Sequence, residues 1–219
     1  MKKPKFYLIL GIIFLVASFV FTILVKTFNV AEIGETMTPV GFSDLNNVVF
    51  QAIDTNLTLY KITDILGFLP ILVATGYAVF GLIQLIKRKK LLEVDRGLLV
   101  LGGLLAFTFV LYIFFNTFAL NYRPVFIDGE LESSFPSSHT MLMVVICSSI
   151  IFLNLTYYST NKFARVLNIF LALLAIFIIL GRVFSGVHWI TDIFGGLLYA
   201  LTLLSFYLAI LKKTQKLHC

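Results

Sequence analysis

The chain has 219 residues, of which 59% are hydrophobic and 13% are charged, and its mean hydropathy is +0.99. A soluble domain carries about a quarter charged residues, so the composition excludes a water-exposed globular protein and indicates lipid as the solvent. The formal net charge of +6 invites a nucleic-acid partner. The distribution of the charges along the chain argues against one, and we predict no nucleic-acid binding.

Six apolar segments are long enough to cross a bilayer as helices, since about 20 residues at a rise of 1.5 Å span the hydrocarbon core. In chain order they are 6–25, 65–86, 97–120, 139–158, 166–187 and 189–211. The first follows a basic start that resembles a signal peptide. It is longer than a typical one and no small-residue cleavage site follows it, so we expect a retained helix.

The predicted fold is therefore an all-α membrane protein, a six-transmembrane-helix bundle. No repeat, low-complexity tract or soluble linker interrupts the apolar pattern. We expect a single membrane domain over residues 1–219, with a catalytic core at about 97–211. The sequence leaves the oligomeric state open.

The basic residues predict the orientation of the bundle. With six spans, thirteen of the 17 lysines and arginines fall on the side of the two termini, and nine of the eleven acidic residues fall on the other side. Positive charge marks cytoplasmic loops. We therefore expect a multi-pass cell-membrane protein with cytoplasmic termini and an outward-facing site. Only four basic residues remain for the outer side: Lys26, Lys61, Arg123 and Arg182.

The longest outward loop covers residues 26–64. Within it, apolar residues recur at positions 42, 45, 48, 49, 52 and 53, a spacing typical of a short amphipathic helix on the membrane surface. Ser43 or Asp44 is expected to cap the start of this helix. A packing role is favoured over a catalytic one.

Two further outward stretches, 121–140 and 181–192, contain two of the three histidines. His188 and Asp192 are four residues apart, so on a helix they share a face, with Cβ atoms about 5–6 Å apart. A carboxylate there can hold one imidazole nitrogen and leave the other free as a base or nucleophile. Arg182 brings a planar fork of donors that suits phosphate oxygens.

The first of these stretches ends where the fourth span begins. Pro136 suits a first helical turn, and the free amides of such a turn bind anions. Ser137 and Ser138 can add hydroxyl or amide donors there. His139, at the same helix end, is placed to donate a proton.

Three motifs carry a family resemblance. They are R-P at Arg123-Pro124, P-S-S-H at 136–139, and R-x-x-x-x-x-H-x-x-x-D at 182–192. Together they resemble the tripartite signature of the type 2 phosphatidic acid phosphatase family. These membrane lipid phosphatases share a helical core with vanadium haloperoxidases. The resemblance covers the third to sixth spans.

The resemblance implies a two-step phosphoryl transfer without metal or cofactor. His188 would attack phosphorus and form a phosphohistidine, and Asp192 would orient its ring. His139 would protonate the departing lipid oxygen. The phosphate oxygens would be held by Arg123, Arg182, Ser137 and the Ser138 amide.

The sequence departs from the family pattern at three positions. The lysine that precedes the R-P motif by seven residues in the family is Asn116 here, so one phosphate-neutralising charge is missing. Ser138 stands where the family usually has glycine. Gly181 stands where the third motif usually opens with serine. The positions of the nucleophile and the acid are intact.

Other readings of the same residues remain open. Two histidines and an aspartate can form a triad for iron or another divalent ion, although two arginines nearby would repel a cation. A non-catalytic lipid-phosphate binder or transporter is the second alternative. Within the phosphatase reading, the resemblance admits undecaprenyl pyrophosphate, phosphatidylglycerophosphate or phosphatidate from the outer leaflet. The acidic residues Asp128, Glu130 and Glu132 form either a lid or a solvated loop.

Overall fold

The computed structural model describes residues 3–215 of the chain and their side chains as far as Thr214. The predictions that involve Lys2, Lys216 and Cys219 lie outside the described residues. The helices are α1 Pro4–Thr27, α2 Ser43–Ala52, α3 Leu57–Leu66, α4 Phe68–Arg88, α5 Arg96–Thr117, α6 Ser138–Tyr157, α7 Lys162–Phe184 and α8 Ile190–Gln215. Two short strands, β1 Ala31–Ile33 and β2 Thr38–Val40, and a 3-10 turn at Leu91–Glu93 complete the elements.

The six predicted spans are confirmed. Helices α1, α5, α6, α7 and α8 are each long and apolar enough to cross a membrane, and α3 with α4 forms the remaining span, Leu57–Arg88. This second span begins eight residues before the predicted position 65. The charged side chains of Lys61 and Asp64 lowered the apolar signal of its first turns, but α3 runs into α4 with only Gly67 between them.

Helices α6 and α8 form the centre of the bundle, because most of their residues are buried while the other four spans are largely exposed. Helix α1 packs along α8, and α5 and α7 both pack on α6. The outer surfaces of the peripheral helices carry large apolar side chains, such as Ile13, Leu72, Phe109 and Leu173. Such a surface is stable only against lipid.

The loop between α1 and α3 contains the predicted short helix, α2, and an antiparallel pairing of β1 with β2 that the sequence analysis missed. The predicted cap of α2 is wrong. Asn29, which follows α1, accepts hydrogen bonds from the Ser43 hydroxyl at 2.7 Å and from the Asp44 amide at 3.0 Å. The Asn29 side chain thus satisfies the Asp44 amide, and the Asn29 carbonyl accepts from the Ser43 amide at 2.9 Å.

The polar side of α2 faces the bundle. Asn46 is buried and donates to the Gly41 carbonyl at 2.8 Å and to the Thr191 hydroxyl at 3.0 Å. Leu45 and Val48 are exposed on the outer side. Helix α2 is therefore fixed by polar contacts to the beginning of α8, one residue from Asp192.

Candidate active site

His188 and Asp192 lie together beside the first turn of α8. The helix begins at Ile190, so His188 precedes it and does not share its face, contrary to the prediction from spacing. The positive φ of Gly186, +66°, allows the chain to turn between α7 and α8. His188 Nδ1 and Asp192 Oδ2 are 3.8 Å apart, which is longer than a hydrogen bond.

Ser134 connects the histidine to the carboxylate. Its hydroxyl donates to Asp192 Oδ2 and lies 3.5 Å from His188 Nδ1. The backbone amide of Trp189 also donates to Asp192 Oδ2, at 2.9 Å. Because the Ser134 proton is directed to Asp192, its oxygen is the acceptor that faces Nδ1–H, and we assign the free lone pair of His188 to Nε2.

His188 is almost completely buried, and its Nε2 atom has no hydrogen-bond partner in the described part of the chain. Burial, together with the positive charges of Arg123 and Arg182, holds the pKa of His188 well below its ordinary value of 6.5. The ring is therefore neutral at neutral pH. A neutral imidazole with an unused lone pair is the form that acts as a nucleophile.

His139 lies in the first turn of α6, beside Ser137 and Ser138. The Ser137 amide donates to the Asp192 carbonyl at 2.9 Å, which holds the start of α6 against α8. The Ser137 hydroxyl caps α6, since it lies 3.0 Å from the Thr140 hydroxyl and accepts from the Thr140 amide. This hydroxyl serves the helix, and Ser138 is half-buried at the first helical position.

Arg123 is held by the loop between α5 and α6. Its amide donates to the Glu132 carbonyl at 3.1 Å, and its carbonyl accepts from the Thr36 hydroxyl at 2.8 Å. Its Nη2 atom pairs with Glu132 Oε2 at 2.9 Å. The sequence analysis leaves open whether Glu132 belongs to a lid or to a solvated loop. In the structure, Glu132 pairs with an arginine of the site.

Arg182 is fully buried in the last turn of α7. Its Nη2 atom lies 2.5 Å from Asp64 Oδ1, and the same oxygen lies 2.8 Å from His139 Nε2. The sequence analysis did not single out Asp64, which comes from α3. A carboxylate from outside the three motifs therefore joins two of the predicted site residues.

Tyr60, one helical turn before Asp64, supports both arginines. Its ring centroid is 5.2 Å from the guanidinium carbon of Arg123 and 4.6 Å from that of Arg182. Cation–π contact stabilises positive charge at such distances. The Nε and Nη1 atoms of both arginines are buried without a hydrogen-bond partner among residues 3–215.

Asn116, at the position of the family lysine, is bonded to its own helix and to the loop before α6. Its side chain is exposed on α5, donates to the Tyr112 carbonyl at 3.0 Å and accepts from the Ser133 hydroxyl. Neither of these side-chain hydrogen bonds is to a histidine or an arginine of the site. Within the described residues, no group of three His, Cys, Asp or Glu side chains is placed to hold a metal ion.

Fold and site together define a multi-pass membrane protein with a cluster of two histidines, two arginines and two carboxylates at one end of its helical bundle. The family model of the PAP2 superfamily matches residues 98–216, which is more than half of the chain. The chain belongs to the PAP2 superfamily. The match includes all three motifs and leaves out α3, which carries Tyr60 and Asp64.

A solved structure with the same fold is the transmembrane PAP2-type phosphatidylglycerolphosphate phosphatase from Bacillus subtilis. The two structures superpose with a TM-score of 0.55 over 91% of this chain and 94% of the other, at 20% sequence identity. At this identity, the likeness establishes the fold. A search of curated proteins gives no match.

Proposed function

We propose that this protein is a membrane lipid phosphatase that hydrolyses a phosphomonoester or a pyrophosphate on a lipid through a phosphohistidine intermediate. One observation carries the proposal. Within residues 3–215, Nε2 of the neutral, buried His188 has no partner, and each of the two arginines that act on it, Arg123 and Arg182, keeps two buried donors unpaired. Buried donors without partners are rare in folded proteins, and a phosphate group offers the oxygens that would satisfy them.

The proposed reaction has two steps. His188 Nε2 attacks phosphorus while the bond to the lipid oxygen breaks, and His139 gives that oxygen a proton. Water then attacks the phosphohistidine, His139 takes a proton from the water, and inorganic phosphate leaves. Arg123 and Arg182 stabilise the charge on the three equatorial oxygens, where positioning and charge neutralisation contribute most to the rate.

Ser134 and Asp192 have supporting roles in this proposal. The imidazole gains a positive charge when Nε2 bonds to phosphorus, and the buried Asp192 carboxylate stabilises that charge through the Ser134 hydroxyl. The amides at the start of α6, including that of Ser138, are the further donors that we assign to phosphate. The Ser137 hydroxyl serves as the helix cap.

The distribution of basic residues supports a site on the outer face, with both termini in the cytoplasm. Exposed apolar side chains close to the site residues in the chain, such as Phe126 and Phe184, suit an amphiphilic substrate that approaches from the outer leaflet. Undecaprenyl pyrophosphate, phosphatidylglycerophosphate and phosphatidate all present a terminal phosphate at headgroup depth. We propose this substrate class without choosing among its members.

To test the proposal, phosphate release by the purified protein is measured with a panel of lipid phosphates and pyrophosphates, with and without EDTA. We expect hydrolysis that EDTA leaves unchanged and that vanadate, a phosphate analogue, inhibits. Activity abolished by EDTA and unaffected by vanadate would contradict the metal-independent mechanism. If the protein bound lipid phosphates without releasing inorganic phosphate, and if His188→Ala bound them equally well, the result would instead favour a non-catalytic lipid-phosphate binder.

A further inference from the structure

We propose that Asp64 is a positioning residue that holds His139 as the proton donor of the reaction. The inference rests on the proposed phosphatase function. It starts from a contact that connects α3 with two of the three motifs: Asp64 Oδ1 accepts from His139 Nε2 at 2.8 Å and from Arg182 Nη2 at 2.5 Å. The site thus contains two pairs of a histidine and a carboxylate, His188 with Asp192 and His139 with Asp64.

The contact is built into the fold. Helix α3 is fixed against the end of α7, where the Asn56 amide donates to the Ser185 carbonyl at 2.9 Å. Thr63, beside Asp64, is fully buried, and it packs so closely on Gly181 that a Cβ atom there would lie 2.4 Å from the Thr63 methyl group. The backbone that carries Asp64 therefore has little freedom to move away from Arg182.

Asp64 uses only part of the hydrogen-bonding capacity of its partners. Arg182 donates to it through Nη2 and keeps Nε and Nη1 unpaired in the described structure. His139 donates through Nε2, while its Nδ1 atom is buried and unpaired there. A phosphate can consequently be held by the unpaired Nε and Nη1 donors of Arg182 while the contact between Asp64 and His139 persists.

The charges around His139 explain why a carboxylate is needed. The charged and titratable groups that act on it are Asp64 from α3, Arg182 from α7, Arg123 from the loop after α5, and His188 before α8. Two of these are permanent cations, which oppose a proton on the imidazole. Asp64 is the one anion among the four groups, so it favours the protonated ring.

These contacts indicate where the two ring protons of His139 lie. In the imidazolium form of His139, Nε2–H is bonded to Asp64, and Nδ1–H is the proton available for transfer. As the bond between phosphorus and the lipid oxygen breaks, that proton moves from Nδ1 to the oxygen, so the lipid alcohol leaves uncharged and His139 becomes neutral. Asp64 touches neither phosphorus nor the leaving oxygen in this step.

The leaving group provides the test. An alkoxide needs a proton to depart, whereas p-nitrophenolate is a stable anion that does not. Asp64→Asn should lower kcat/KM about 10- to 100-fold for an alkyl phosphate and less than about threefold for p-nitrophenyl phosphate, because proton donation contributes about 10²–10⁴ to such reactions. His139→Ala should also affect the alkyl phosphate more than p-nitrophenyl phosphate, with a larger loss of kcat/KM. Asp64→Glu should recover part of the kcat/KM for the alkyl phosphate.

Asp54→Asn is the matched control, because Asp54 is an exposed carboxylate on the segment just before α3. This variant should leave kcat/KM unchanged for both the alkyl phosphate and p-nitrophenyl phosphate. Activity of Asp64→Asn on p-nitrophenyl phosphate also reports that this variant is folded. Inhibition by inorganic phosphate measures the anion site separately and should change little in Asp64→Asn.

Three results would overturn the role of Asp64. An equal loss on both substrates would mean that Asp64 only maintains the structure. Tighter inhibition by phosphate with a higher kcat/KM would mean that its carboxylate merely competes with phosphate for Arg182. A wild-type protein that cleaved neither substrate would contradict the proposed function itself, and the role of Asp64 with it.

Discussion

At the residue scale, burial and two neighbouring positive charges keep the pKa of His188 below 6.5. The neutral ring is the proposed nucleophile, so kcat/KM for p-nitrophenyl phosphate, whose leaving group needs no proton from His139, should stay level as the pH falls from 7 to 6.5. It should decline only when the pH reaches the lowered pKa. The same shift makes the folded protein lose stability below pH 6.5, because the unfolded chain then binds a proton that the buried ring does not.

The Arg123→Gln variant tests the cause of this shift. Removing a positive charge near His188 stabilises its protonated form, so the pKa rises and the acid limb of kcat/KM moves to higher pH. The measurement is the pH profile of the residual activity, with Arg88→Gln as a control far along the chain from the motifs. An acid limb that stays in place, or that moves to lower pH, would contradict the electrostatic account.

Some contacts of the site residues could be predicted from the sequence, and others could not. The spacing of His188 and Asp192 predicts that the two side chains lie near each other, and they do, because the Trp189 carbonyl accepts from the Asp192 amide at 3.0 Å and turns the chain just before α8. The intervening Ser134 lies 54 residues before His188, and a serine carries no signal of its own in a serine-rich segment. Its contact with both residues is a property of the tertiary structure.

At the element scale, α3 contributes to the site because it packs tightly on α7. Gly181 allows this approach, since a Cβ atom there would lie 2.4 Å from the buried Thr63 methyl group. Gly181→Ala should therefore destabilise the protein by about 1–3 kcal/mol and should reduce activity by displacing the helix that carries Tyr60 and Asp64. Thermal unfolding in detergent and phosphate release are the measurements.

The control for this variant is Gly76→Ala on α4, where an added Cβ atom meets nothing within 4 Å. It should leave activity unchanged and leave stability equal or slightly higher, since alanine favours a helix over glycine. If both variants behaved alike, the close packing of α3 on α7 would not be what holds this part of the site.

The role of α3 could not be predicted from the sequence. Hydropathy placed the start of the second span at residue 65, because Lys61 and Asp64 interrupt the apolar run. Asp64 was therefore assigned to a loop, 118 residues away from the arginine that it contacts. The six spans could be predicted, because each must satisfy its own backbone in lipid and so has a signal within a single segment.

At the scale of the whole molecule, the asymmetry of basic residues predicts that the site faces outward. Single cysteines in a Cys219→Ser background can test this, because the remaining Cys147 is buried. A membrane-impermeant thiol reagent applied to intact cells should label Asp128→Cys, near the site. It should label Lys89→Cys, between α4 and α5, only after permeabilisation. The reverse labelling pattern would invert the proposed topology.

The central claim is that phosphate passes through His188, and the phosphorylated protein tests it most directly. His139→Ala lacks the proposed base for the second step. Incubated with p-nitrophenyl phosphate and quenched in alkali, where phosphohistidine persists, it should carry phosphate on His188 when its peptides are mapped by mass spectrometry. The double variant with His188→Ala should carry none. Phosphate on another residue, or turnover retained by His188→Ala, would contradict the account.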